Sequence, residues 1–239
     1  MPYAKSDHVH WDQRDGRVAA VAASIVFSFW VVEVILPGGG AARGVLAESD
    51  SALGRFLDDA HRVASILAVL AAALGLSLGA RWSRRWLAVS WASMAVFGAA
   101  SFTASLLPGP CVVSTDVACA AESLVEGLAG ATVAQAVVAV VAMLASLLGV
   151  VSLAVSLRLH QKRSWLPVAA VAAVQTVVVV AVLVLAGRVL VADGSGAPGV
   201  TLGLLERVHL VTVALWLLSA GVLPGPWKRT PRSSLSASP

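Results

Sequence analysis

The chain is 239 residues long, 58% hydrophobic and only 13% charged, with a net charge of +4. A soluble domain is about 45–50% apolar and about 25% charged, so this composition excludes an ordinary soluble enzyme, and a mean hydropathy of +0.85 points to the bilayer. The basic residues flank apolar runs and form no basic-aromatic surface on which a nucleic acid strand would stack, so topology accounts for them and nucleic acid does not.

The first 17 residues are polar and predict a disordered tail. His8 and His10 within it are two ligands, too few for a metal site. Six apolar runs follow: Val18–Leu36, Val63–Ala80, Trp86–Leu107, Leu128–Leu157, Trp165–Ala186 and Leu204–Leu223. Each approaches or exceeds the roughly 20 residues that cross a hydrocarbon core of about 30 Å. Each must be helical, because an open strand would leave backbone amides facing lipid. The first run is too long for a cleaved signal peptide, and Glu33 and Trp30 fit its apolar region poorly. The fourth, at about 30 residues and about 45 Å, must tilt or project. Thr230–Pro239 is rich in Ser and Pro and predicts a second disordered tail. The expected fold is all-α: a polytopic membrane protein whose six transmembrane helices occupy residues 18–227, between cytoplasmic tails at 1–17 and 228–239.

The charges between the runs are sorted by side. Twelve of the seventeen Lys and Arg lie in the two tails, in Arg81–Arg85 and in Arg158–Arg163, whereas ten of the thirteen Asp and Glu lie in the alternate segments or at the helix ends beside them. Loops rich in Lys and Arg stay in the cytoplasm, so both termini are expected inside the cell membrane. Trp11, Trp82, Trp86, Trp165 and Trp227 fall near that inner boundary, where an aromatic belt is expected.

Cys111 and Cys119, the two cysteines of the chain, fall between the third and fourth runs, on the outer side. That compartment permits a disulfide. Closing so short a loop stabilises by roughly 2–3 kcal/mol on the chain-entropy view. A relay of electrons would need a second pair, so the expected bridge is structural. Ala71, Gly75 and Gly79 form a small-residue row on the second run, suited to close helix packing within the chain or to a homodimer seam.

Polar residues collect at the outer helix ends. Glu33 closes the first run, Asp58 and His61 precede the second, Glu122 and Glu126 precede the fourth, and Glu206, Arg207 and His209 open the sixth. The spacings 58/61, 122/126 and 206/209 each put a pair on one helix face. Three readings follow. Arg62 and Arg207 could neutralise Glu33 and Glu206 as scaffolding. The group could bind a membrane lipid headgroup or small solute, with Glu33, Asp58, His61, Glu126, Glu206, Arg207 and His209 as its residues. Alternatively, the pairs Asp58/His61 and Glu206/His209, with His61, His209 and Glu206 foremost, could hold a divalent metal with Glu33 and Glu126, as paired acid-x-x-His motifs do in helix bundles. That would suit a metal-dependent intramembrane hydrolase acting on lipids. A haem between His61 and His209 lacks a second histidine pair, and His160 lies in a cytoplasmic loop. Against a small-solute transporter, every Pro between Pro37 and Pro224 lies at or near a run boundary, leaving no matched broken helices. Phosphate-cradling glycine loops and nucleophile elbows are absent. The first expectation is therefore a non-enzymatic membrane protein with an outward polar site.

The stretch Gly203-Leu204-Leu205-Glu206-Arg207 with Trp216 downstream, and Leu106-Leu107-Pro108-Gly109 before a long fourth helix, resemble the domain-of-unknown-function family numbered 998. These are uncharacterised six-helix bacterial membrane proteins. The resemblance covers nearly the whole chain by layout and these stretches by residue, and it implies six helices and a membrane location. That family often shows a His near the start of its fourth helix, where this chain has Glu122 and Glu126. It implies no activity.

Orientation can be tested directly. A reporter active only in the cytoplasm should work when fused after Pro239. In intact cells Cys111 and Cys119 should resist alkylation until reductant is added. Activity of a C-terminal reporter only outside would overturn the charge reading.

Overall fold

Asp12 starts the first helix. Its carboxylate accepts from the amides of Arg14 and Asp15, at 2.6 and 3.1 Å, while Asp15 accepts from the amide of Asp12 at 2.8 Å. This reciprocal box fills orphan donors at a helix N-terminus. Residues 13–17, expected in the disordered tail, are therefore the first turn of α1 (Gln13–Phe27), which continues as a tight turn at Ser28–Trp30. The structure is a computed structural model that describes residues 11–31, 52–79, 85–107, 117–126, 130–160, 162–191 and 200–227.

The remaining helices are α2 (Ala52–Leu74, ending in a widened turn at Gly75–Gly79), α3 (Arg85–Leu106), α4 (Val117–Glu126), α5 (Gly130–Leu159), α6 (Trp165–Val191) and α7 (Val200–Val222). No strand occurs among the described residues. Five helices, α2, α3, α5, α6 and α7, are long and apolar enough to cross a membrane. α1 is described only to residue 31, short of the run expected to end at Leu36. Two boundaries differ from expectation. α2 begins eleven residues before Val63, so Asp58 and His61, expected at its entry, lie about two turns inside it. The segment before the fourth run folds into its own short helix, α4, which carries Cys119, Glu122 and Glu126.

The long helices close into a ring in the order α1, α2, α3, α5, α6, α7 and back to α1, with α4 against α5 and α6. Gly16 of α1 lies beside Trp227, just beyond α7, so the start of α1 and the end of α7 share one end of the bundle. We call this the termini end and its opposite the far end. The outward faces are apolar: Val137, Val141, Leu144 and Leu148 on α5, and Leu204, Val211, Leu215 and Val222 on α7, are all exposed. The interior instead buries Ser90, Ser146, Gln175 and His209. That inverts a soluble domain and matches a lipid surround.

Lipid gives no hydrophobic drive between helices, so association rests on close fit and hydrogen bonds. The fit centres on an aromatic layer. Phe27 of α1 meets Phe97 of α3 edge-on at 5.8 Å between ring centres, and Phe97 meets Trp216 of α7 at 5.9 Å. Trp216 lies on Gly149 of α5, where any Cβ would run into the indole. Toward the termini, Gly75 takes the face of Trp91, and Trp91 packs on Trp227 at 4.7 Å. Ala71 is fully buried beside it, so two members of the small-residue row serve packing within the chain. Trp227, expected in an interfacial belt, is buried core instead. Trp11 and Trp86 are exposed, as a belt requires. Hydroxyls and amides tie neighbouring helices: Ser24 Oγ to Ala214 O at 2.7 Å, Ser90 Oγ to Gly149 O at 2.9 Å and Gln175 Nε2 to Ser146 Oγ at 2.8 Å.

The two glycines Gly149 and Gly187 make a matched test. A Cβ at 149 meets the Trp216 indole, whereas one at 187 meets nothing within 4 Å. Gly149→Ala should lower stability by about 1–3 kcal/mol. Gly187→Ala should leave it unchanged or raise it by up to about 1 kcal/mol. Thermal unfolding in detergent should separate them.

Candidate functional site

Each aromatic of the central layer has a polar neighbour on its own helix face, one or two turns nearer the far end. Trp30 follows Phe27 by three residues, Ser101 follows Phe97 by four, and His209 precedes Trp216 by seven. At about 100° per residue these spacings repeat a face. A fourth group, His61 of α2, sets its ring 5.0 Å from Phe27. Heights agree as well. Ser24 beside Ala214 puts Phe29 about level with His209, and His61 lies beside Phe27.

All four side chains are buried, His209 completely and His61 and Ser101 at 1% exposure. Trp30 Nε1, Ser101 Oγ, His61 Nε2 and both ring nitrogens of His209 have no hydrogen-bond partner among the described residues. His61 Nδ1 lies 2.7 Å from Leu57 O. A carbonyl only accepts, so Nδ1 carries the proton and Nε2 presents a lone pair in the neutral ring. The indole offers a donor, the hydroxyl both functions, and a neutral His209 one of each. Leaving a buried polar atom bare costs about 1–3 kcal/mol. Five such atoms together rival the net stability of a typical domain, about 5–15 kcal/mol. Trp91 Nε1, Trp216 Nε1 and Ser152 Oγ also lack partners nearer the termini, but none of these is ionisable.

Several residues expected in the site do other work. Asp58 forms an ion pair with Arg62, which also reaches Asp59 at 3.4 Å and donates to Ser105 O at 2.8 Å. Arg62 thus ties α2 to the end of α3. Glu206 is buried on the His209 face, and its Oε1 accepts from the amide of Val117 at 3.0 Å. Val117 opens α4, so the carboxylate caps that helix at its positive end. The expected neutralisation of Glu206 by Arg207 does not occur: Arg207 Nε and Nη2 are buried and make no hydrogen bond among the described residues. Arg207 also sits about 200° around the helix from His209, off the polar face. Glu33 and Cys111 lie outside the described residues, as does the side chain of Glu126. Cys119 is buried on α4 and is not a free thiol.

Among the described residues, no three His, Cys, Asp or Glu side chains come together to hold a metal. His61, His209 and Glu206 therefore do not form the metal group that their spacing suggested. Compared with protein-family models, curated proteins and solved structures, the chain matches none.

Trp30, Ser101 and the aromatic layer escaped the sequence reading because none is charged. Their signal is the one-face spacing of Phe27 with Trp30, Phe97 with Ser101 and His209 with Trp216. It has meaning only once the inward face of each helix is known.

The capping role of Glu206 has its own test. Glu206→Gln keeps an acceptor for the Val117 amide and should cost little. Glu206→Leu removes it and should destabilise by about 1–3 kcal/mol. Amide exchange over residues 117–126 should quicken in the second variant and not in the first.

Proposed function

We propose that this chain is a non-enzymatic integral membrane protein of six crossings, with α1 as the sixth, and that its far end faces outward and binds a polar group carrying both hydroxyl donors and acceptors. The ligand is a hydroxylated lipid headgroup or a small polyol of the same chemistry. One observation carries the reading: the buried ring nitrogens of His209, without a partner among the described residues, level with the likewise unpartnered Nε2 of His61. Ionisable groups within membrane helices are costly and mark functional positions by default. Unsatisfied buried polar atoms call for a partner.

The bound group would rest on Phe27, Phe97 and Trp216 and meet Trp30, His61, Ser101 and His209 around it. The aromatic layer closes the inward path, which favours binding over passage. A hydrolase is less well supported, since the carboxylates of Asp58 and Glu206 are engaged by Arg62 and by the Val117 amide. The charge pattern supports cytoplasmic termini. A Cys111–Cys119 bridge beside α4 and membership of the family numbered 998 belong to the same proposal, the latter resting on Glu206-Arg207 and Trp216.

Histidine-selective ¹⁵N spectra of the purified chain provide the test, with myo-inositol as the free polyol and short-chain phosphatidylglycerol as the headgroup. At least one probe should shift the His61 and His209 signals. His209→Leu should abolish the response yet unfold at an equal or higher temperature, because replacing a bare buried polar group with an apolar one relieves its desolvation. Silence from both probes, or a lowered unfolding temperature in the variant, would refute the site.

A further inference from the structure

A cleft of about 710 Å³ opens at the termini end between α1 and α7, far from the aromatic layer's polar side. Its mouth is basic. Arg17 donates from Nε to Gly221 O at 2.9 Å and from Nη2 to Val222 O at 2.8 Å. These bonds satisfy carbonyls at the end of α7 and hold the guanidinium at the rim, with Nη1 outside both of them. Arg14, one turn nearer the chain start, is exposed on the same rim. The neighbouring acids are engaged, since Asp12 and Asp15 close the capping box.

Below the mouth the wall is apolar. Val18, Val21 and Ile25 line it, with Val18 60% and Ile25 55% exposed. From Arg14 to Ile25 is eleven residues, about 16 Å of helix, or about half of a 30 Å hydrocarbon core. A soluble anion would leave this wall unused, and an apolar chain alone would leave the arginines unused. An amphiphile with an anionic head and a tail one leaflet long uses both, and basic pockets between membrane helices take such lipids.

We infer that this cleft seats one anionic phospholipid of the leaflet nearest the termini, with its phosphate at Arg14 and Arg17 and an acyl chain along Val18, Val21 and Ile25. The site is independent of His209 and would stand if the far-end reading failed.

Native mass spectrometry of the full chain in detergent, with equal dioleoyl-phosphatidylglycerol and dioleoyl-phosphatidylcholine, tests it. The chain should retain one phosphatidylglycerol under activation that strips phosphatidylcholine. Arg14→Gln leaves the capping bonds of Arg17 in place and should lower that retention about fivefold, the scale of one basic residue at an anionic surface. Val18→Trp keeps both arginines, fills the apolar wall and should lower it comparably. His209→Leu should leave it unchanged. Equal retention of the two lipids, no loss in either cleft variant, or loss in His209→Leu would each overturn the inference.

Discussion

The contact of Trp216 with Gly149, continued through Phe97 to Phe27, fixes how closely four helices of the ring can approach. In lipid the outer faces gain nothing by leaving their surroundings, so the bundle depends on shape at such points. A side chain as large as Trp216 is fully buried only because position 149 has no Cβ. The same layer separates two kinds of interior. Toward the termini, Ser24 and Ser90 spend their hydroxyls on carbonyls of adjacent helices, and glycines receive Trp91 and Trp227. Toward the far end, Trp30 Nε1, His61 Nε2, Ser101 Oγ and both ring nitrogens of His209 are held in place by the packing beneath them and have no partner among the described residues.

That contrast is the observation behind the proposed binding role of the far end. A membrane interior readily tolerates serine, because its hydroxyl can return to the carbonyl three or four residues back, as Ser65 does to His61 O and Ser146 to Met143 O. Histidine at position 209 has no such return among the described residues. The acids that looked most functional are quieter. Asp58 stiffens a helix end with Arg62, and Glu206 anchors α4. The polarity of the far-end boundary is therefore partly structural, and the chemically open part lies one layer deeper.

The apolar runs were legible because lipid imposes a length and a composition that few other environments do, and the five longest apolar helices fall where those runs predicted. What was hidden depends on direction in space. A capping box written with two aspartates at 12 and 15, where a Ser or Thr and a Glu are usual, made a helix start look like a tail. The residues around Cys119 fall outside the apolar runs, so Glu122 and Glu126 read as the approach to the fourth run and not as part of a separate α4. His61, Glu206 and His209 were singled out by type. Spacing alone could not tell that Asp58 turns to Arg62 and Glu206 to Val117, nor that Arg207 leaves the polar face. Trp30 and Ser101 needed the ring order, which follows from packing between distant segments.

The join between α1 and α7 bears on the order in which the molecule can be made. Arg17 bonds carbonyls of Gly221 and Val222, separated from it by 204 and 205 positions, and Gly16 receives Trp227. At about 5–20 residues per second, a ribosome needs roughly ten to forty seconds between delivering the two halves of this seam. Throughout that interval the first helix leans on α2 and on Phe97 of α3, and the Arg17 guanidinium waits for acceptors not yet translated. The last few residues of the bundle thus act as a closing latch on its first helix. A chain released early, before α7, would be left with an open ring and a cation stranded at its edge.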